Sequence, residues 1–209
     1  MKFGSPFYSG RTLRVGTLAL FTLLVLLPSL AAAQQVKVDL DPPQTKIEWT
    51  LVATMHTVHG TFKLKSGSIT FDAKTGDASG ELIVAAASGE TDNASRDKKM
   101  QKDVLESQRY PDITFVPKHV TGKLAEPGAS EIQVQGVFRI HGADHDLTLS
   151  MSVEQTGDQV KASTNFVVPY QEWGMKNPST FLLTVEKTVN VSVSAVGHIT
   201  TAGAQSTAH

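Results

Sequence analysis

Cysteine is absent from the 209 residues. Disulfides, thiolate metal sites, cysteine nucleophiles and a lipid-modified N-terminal cysteine are therefore excluded. Neither charge sign dominates, since 19 Lys and Arg stand against 20 Asp and Glu. The basic surface that nucleic acid requires is missing. No apolar run reaches the ~20 residues of a membrane-spanning helix. Gly-x-Ser-x-Gly, His-Glu-x2-His and glycine-rich phosphate loops do not occur. Neither a repeat nor a second domain is visible.

What is present begins with an export pattern. Lys2, Arg11 and Arg14 precede an apolar run over residues 15–27, Pro28 breaks it, and Ala31-Ala32-Ala33 follows. This predicts a cleaved secretory signal over 1–33 and a periplasmic or secreted location. Arg11 and Arg14 are not adjacent, so twin-arginine export has no support. Setting the three basic signal residues aside leaves 16 basic against 20 acidic residues in 34–209. An exported chain without disulfides must be held by packing alone.

Most of the remaining chain alternates with period two. Ile47, Trp49, Leu51 and Ala53 share one face, with Glu48, Thr50 and Val52 on the other. Val58, Gly60, Phe62 and Leu64 repeat the pattern; Lys65-Ser66-Gly67 reads as a tight turn, and Ile69 and Phe71 as a short strand after it. Gly80, Leu82, Val84 and Ala86 follow. Later runs are Ile113 to His119, Ile132 to Ile140, Leu147 to Val153, Val160 to Val168 and Val189 to Ala195. About eight such strands joined by short turns predict an all-β, up-and-down antiparallel barrel over 34–199. Residues 200–209 read as a flexible tail.

One segment departs from that period. Within 95–115, Met100, Val104 and Leu105 fall at helical spacing until Tyr110-Pro111 stops them. A short helix should close one barrel end, with Ile113 and Phe115 re-entering the wall. Arg96 reads either as a solvated residue at the helix start or as a rim group that orders the preceding loop. The loop carrying Trp173-Gly174 is expected to plug the opposite end or to hold a recognition residue.

A barrel of this size holds its own side chains or one small ligand. Large inward residues (Trp49, Phe62, Phe115, Phe138, Phe166) alternate with small ones (Gly60, Gly80, Ala86, Gly136, Ala162). Such a mixture means interdigitation or a cavity. His56-x2-His59 and His141-x3-His145 have metal-like spacing, but residues i and i+3 of a strand point to opposite faces. Asp144, His145 and Asp146 are adjacent and diverge, which is no triad. No metal, no cofactor and no catalysis is the resulting expectation. A His-based metal enzyme stays as a third reading, behind a ligand-free structural barrel.

Several short pieces, in order, carry a resemblance. They are Thr57-Val58-His59-Gly60-Thr61-Phe62, Gly67-Ser68-Ile69-Thr70-Phe71-Asp72, Arg96-Asp97, Leu105-Glu106-Ser107 and Tyr110-Pro111-Asp112-Ile113-Thr114-Phe115. Gly136-Val137-Phe138-Arg139-Ile140-His141-Gly142, Trp173-Gly174 and the last strand complete the set. The chain resembles the YceI-like family of polyisoprenoid- or lipid-binding secreted barrels. The resemblance implies an extended lipocalin-like barrel of eight strands, with an isoprenoid or fatty-acyl amphiphile held in its lumen. Two departures sit at the barrel ends: Lys98-Lys99-Met100 follows Arg96-Asp97 where many members carry x-His-Leu, and Trp173 precedes Gly174 where many carry Phe.

Candidate lumen contacts are Trp49, Leu51, Phe62, Phe71, Leu82 and Val84 in the first half of the chain. Ile113, Phe115, Val134, Phe138, Leu149, Met151 and Phe166 continue the set. Arg96, Met100, Val104 and Trp173 are the candidates at the mouth. A lipid-like small molecule is the expected partner and nucleic acid is not. Transient contact with a membrane or membrane protein and a homodimer are both compatible with this reading.

Overall fold

Period-two alternation becomes nine antiparallel strands in the computed structural model, which describes residues 1–4, 35–125, 127–181 and 183–202. Nearly all of the expected export signal, its cleavage site and residues 203–209 of the tail lie outside the described residues. The strands are β1 (Gln35–Leu40), β2 (Lys46–Val52), β3 (Thr57–Asp72), β4 (Ala78–Glu90) and β5 (Asp112–Thr121). After them come β6 (Gly128–Ile140), β7 (Ala143–Thr156), β8 (Gln159–Val168) and β9 (Val189–Ala202).

Nine strands make eight staves. β1 lies between β3 and β9 at one end of the sheet, and β2 lies between the same two strands at the other. Together they form one stave, interrupted by a 3-10 turn at Pro42–Gln44. Pro42 and Pro43 have no N–H to give a ladder, so the stave breaks where they stand. Thr45 re-enters it, its buried hydroxyl donating to the Asp41 carbonyl at 2.8 Å. Neighbour follows neighbour from β3 to β9, and β1 and β2 close the circle. A closed barrel leaves no edge to be covered.

The expected turn at Lys65-Ser66-Gly67 is instead an irregularity inside one 16-residue strand, β3. Leu64 pairs with Val84 and Ser66 with Ile83, so one extra residue is accommodated between them. A bulge shifts the phase by one: Phe62 and Leu64 face inward before it, Ile69 and Phe71 after it. At the other terminus β9 continues past Ile199, pairing Thr200 with Lys37 and Ala202 with Gln35. Thr200, Thr201 and Ala202 are strand rather than tail.

The helix α1 (Ala94–Lys99) begins where Asn93 caps it, its side chain accepting from the Arg96 N–H at 3.0 Å. A π-helical turn over Met100–Val104 follows, and Leu105 N–H reaches Met100 O at 2.9 Å. Glu106, at φ +45°, ends it. Its carbonyl then accepts from Arg109 and Tyr110 N–H at 2.8 and 2.9 Å. A two-residue turn, His141-Gly142, joins β6 to β7 with φ of +52° and +79°, the left-handed pair that a tight hairpin wants. Tyr110 packs on it, with ring centroids 4.9 Å from His141.

Inward residues form two apolar clusters. One, around Phe71, Val120, Val153 and Ile199, fills the end remote from the helix, where Leu124 folds onto it. The other joins Ile113, Ile140 and Val168 to Leu105, Tyr170 and Met175 beneath the helix.

Candidate functional site

All nine strands lean their inward faces on one long cavity of about 650 Å³. That lies within the ~300–1,000 Å³ range of small-molecule sites. Trp49, Leu51, Phe62, Phe71, Leu82, Val84, Ile113 and Phe115 line it. So do Val134, Phe138, Leu149, Met151 and Phe166, together with Arg96, Met100 and Val104. Sixteen of the seventeen sequence-selected side chains thus line one space, thirteen through strand alternation and three from the helical segment.

Trp173 is the exception. It stacks on His145, with ring centroids 4.0 Å apart and planes at 9°, and lies 5.8 Å from Phe138. Its loop is also at the helix end of the barrel, not the opposite one as expected. The reason is parity: β4, β6 and β8 all run toward the same end, so the β4–β5 and β8–β9 connections must share it.

Small inward residues divide into two kinds. A Cβ on Gly60 would fall 2.3 Å from the Trp49 ring, and one on Gly136 would fall 2.7 Å from the Phe115 ring. These glycines are sockets for aromatics across the sheet. Ala162 faces open space and lines the cavity. Interdigitation and a cavity thus coexist.

The lining is graded along its length. Among the described residues it contains no Asp or Glu, and its only histidine there is His56. Thr164, deep in the wall, donates its hydroxyl to Ser150 O at 2.7 Å and offers little to a guest. His56, Asn93, Ser95, Lys99 and Thr180 are the exposed members of the lining, and all lie at the helix end. The cavity opens there, between α1, the 53–56 turn and the 178–183 segment. Buried Trp49 adds one polar group, an indole N–H with no partner among the described residues.

Arg96 is half-buried at this mouth. Its Nε donates to Thr91 Oγ1 at 3.1 Å and its guanidinium pairs with Asp92. Asp97 Oδ1 accepts from Thr91 N–H at 2.9 Å and from the Thr91 hydroxyl at 2.6 Å. Arg96 therefore orders the loop before the helix while its side chain lines the opening. Gln101 ties the following turn to β4 through Ala87 and Gly89 carbonyls, both at 3.0 Å.

Histidines 56 and 59 border one surface pocket beside β2 and β3, whereas His141 and His145 have surroundings of their own. His141 Nε2 lies 3.2 Å from Glu106 Oε1, which joins the helix exit to the β6–β7 turn. His145 is under Trp173, and its buried Nε2 has no partner among the described residues. Among the described residues, no three His, Asp or Glu side chains converge to hold a metal.

A sequence profile of the YceI-like domain matches residues 39–197. The chain belongs to the YceI-like family. A UPF0312 protein of Pseudomonas putida W619 is 25% identical over 170 residues, which cover 77% of this chain and 86% of that one. Among solved structures, Burkholderia cenocepacia BcnA superposes with TM-score 0.60 at 17% identity, over 76% of this chain and 99% of its own. A Saccharophagus degradans polyisoprenoid-binding domain, implicated in plant cell wall breakdown, gives TM-score 0.60 at 13% identity, over 77% and 97%. At these identities the two structures speak for the YceI-like fold, an eight-stave antiparallel barrel with one short helix.

The connection between β8 and β9 also lies at the helix end, where its Tyr170 and Met175 line the cavity. Tyr170 is buried, and its hydroxyl donates to the Glu186 carbonyl at 2.7 Å, clasping the loop's two ends. Burial, with the nearby Glu186 charge second, holds the Tyr170 phenol above its usual range. The folded state thus binds the phenolic proton more tightly than the unfolded chain. That contribution is complete below the ordinary tyrosine value of about 10 and is lost as pH rises through the higher folded value. Alkaline titration should release the loop near that point, read as a change in near-UV circular dichroism. Tyr170→Phe should remove this alkaline step, and should cost about 1 kcal/mol at neutral pH by losing the hydrogen bond.

Proposed function

We propose that the chain is an exported, non-catalytic carrier that holds a long-chain amphiphile, isoprenoid or fatty-acyl, lengthwise in the barrel. The observation that carries this reading is the cavity itself: about 650 Å³, apolar along its depth and polar only at one mouth. Such a space suits a guest with a long apolar tail and one polar end. Each methylene withdrawn from water contributes about 0.8 kcal/mol, so a dozen suffice for tight binding without any specific tail contact. His56, Lys99 and Thr180 at the opening would meet the head, while the deeper wall meets the tail. The lack of carboxylates along the lining favours holding over acid–base chemistry. The Saccharophagus relative's polyisoprenoid binding agrees with this reading, and the residue 1–33 pattern supports a periplasmic or secreted site of action.

Mass spectrometry of a denaturing extract from the purified protein tests it. An amphiphile in near-stoichiometric amount is expected, and the emptied barrel should take up a long-chain fluorescent probe with saturation. An empty extract together with no saturable uptake would reject the carrier in favour of a ligand-free barrel.

A further inference from the structure

The open end of the barrel carries two kinds of side chain that the lumen does not use. Phe181 is fully exposed and Met55 is 84% exposed. Both stand at tips that the backbone holds together. Thr54 N–H donates to Thr184 O at 2.9 Å, Thr184 N–H donates back to Thr54 Oγ1 at 3.2 Å, and Ala53 bridges to Val185. The 180–183 turn is closed on itself by Thr180 N–H to Leu183 O at 2.8 Å. Val52, 45% exposed, lies at the foot of the same structure. Large apolar groups raised on braced turns and left in water mark a contact surface.

Charge supplies the second feature. Most carboxylates around this end have partners: Asp92 with Arg96, Glu106 with His141 and Arg109, Asp112 with Lys65, and Asp144 with Arg139. Asp97 is held by Thr91, and Glu90 lies 3.8 Å from Lys63. Lys98, Lys99 and Lys102 are exposed on the helix and form no ion pair among the described residues. Lys176 and Lys187 on the long loop are likewise unpaired there, against Asp103, Glu172 and Glu186. Asp97, whose Thr91 partner is neutral, and Asp146 also have no cationic partner among the described residues, so the end as a whole is close to neutral. Its cationic feature is the group Lys98, Lys99 and Lys102 on the helical turn beside the opening, on a chain whose 34–209 portion is mildly acidic.

We propose that this end is a docking surface for an anionic lipid bilayer, with Met55 and Phe181 entering the interface and Lys98 and Lys102 contacting the headgroups. Apolar insertion and basic attraction are each weak alone, and peripheral attachment needs both signals. Docking in this orientation sets the cavity opening against the membrane, so an amphiphile crosses from bilayer to lumen without passing through water. The proposal takes its purpose from the carrier reading but is read out independently of it.

The absence of cysteine makes the test site-specific. A polarity-sensitive fluorophore is attached to Phe181→Cys, and in a second protein to Asp158→Cys in the β7–β8 turn at the far end. Phosphatidylcholine vesicles containing phosphatidylglycerol should brighten and blue-shift the label at 181, pure phosphatidylcholine should do so weakly, and the label at 158 should stay silent. Lys98→Gln with Lys102→Gln should weaken the response about 25-fold, roughly fivefold per lysine, and Met55→Ser should weaken it further. A silent label at 181, equal responses at both positions, or a response at 181 only to vesicles bearing membrane proteins would overturn the proposal. Long-chain probe uptake, measured on the same variants without vesicles, should not change. Failure of that uptake beside an intact vesicle response would reject the carrier reading and leave the docking surface standing.

Discussion

Ala162→Trp should abolish amphiphile uptake and leave the barrel folded. Ala162 faces the lumen from β8, and its cross-strand neighbours are Ala195 on β9 and Val153 on β7. Two alanines side by side leave the wall thin at this point, with open space in front. An indole there would occupy much of the passage. Displacing about four methylenes of a guest costs about 3 kcal/mol, a loss of more than 100-fold. The fold should not suffer, because filling an apolar void commonly adds ~0.5–2 kcal/mol of stability. Thermal melting and probe titration on the same sample separate the two effects. Wild-type uptake by a normally folded Ala162→Trp protein would mean that the guest binds somewhere other than the lumen.

The sequence shows the faces of the strands more clearly than their ends. Thirteen selected strand side chains reach one cavity because side-chain direction in a strand follows parity, and parity is written directly in the alternation. Where parity slips, local reading fails. Lys65-Ser66-Gly67 contains small, polar, turn-favouring residues at the point of a phase shift, so a bulge and a turn look alike. The stave made of β1 and β2 was equally hidden, since two prolines interrupt it and only the shared partners β3 and β9 reveal its unity. Trp173 required counting strands: with the Lys65 turn taken as real, the parity of every later strand is uncertain, and so is the end to which its loop belongs. The mouth groups His56, Lys99 and Thr180 carried no periodic signal, because turn and loop residues have none. Only the closed barrel puts them around one opening. Met55 and Phe181 became visible as a pair for the same reason, through contacts across 130 residues of chain.

Gly60→Val should be the most damaging single change in the barrel wall. Gly60 pairs with Trp49 in register, and the indole lies across the space where a side chain would begin. A Cβ there would sit 2.3 Å from Trp49 Cζ2 and 2.8 Å from the Glu90 carbonyl oxygen. The indole has little freedom, being 6% exposed and backed by Phe62 with ring centroids 6.4 Å away. The Glu90 oxygen is backbone and yields less. Overpacking usually costs about 1–3 kcal/mol, and a clash that includes backbone belongs at the upper end or above it. Trp49→Leu should cost about 2 kcal/mol, less than deletion of a fully satisfied Trp, because it also removes a buried N–H that has no acceptor among the described residues. Combining the two changes returns volume to the site, so the double variant should lose at least 1 kcal/mol less than the sum of the singles. Urea unfolding of the four proteins closes this cycle, and strict additivity would show that Gly60 is not the socket for Trp49. Trp49 is also lumen wall near the open end, so the cycle has a functional arm. Gly60→Val alone should lose probe uptake with its wall displaced, and the double variant should recover it in proportion to its recovered stability.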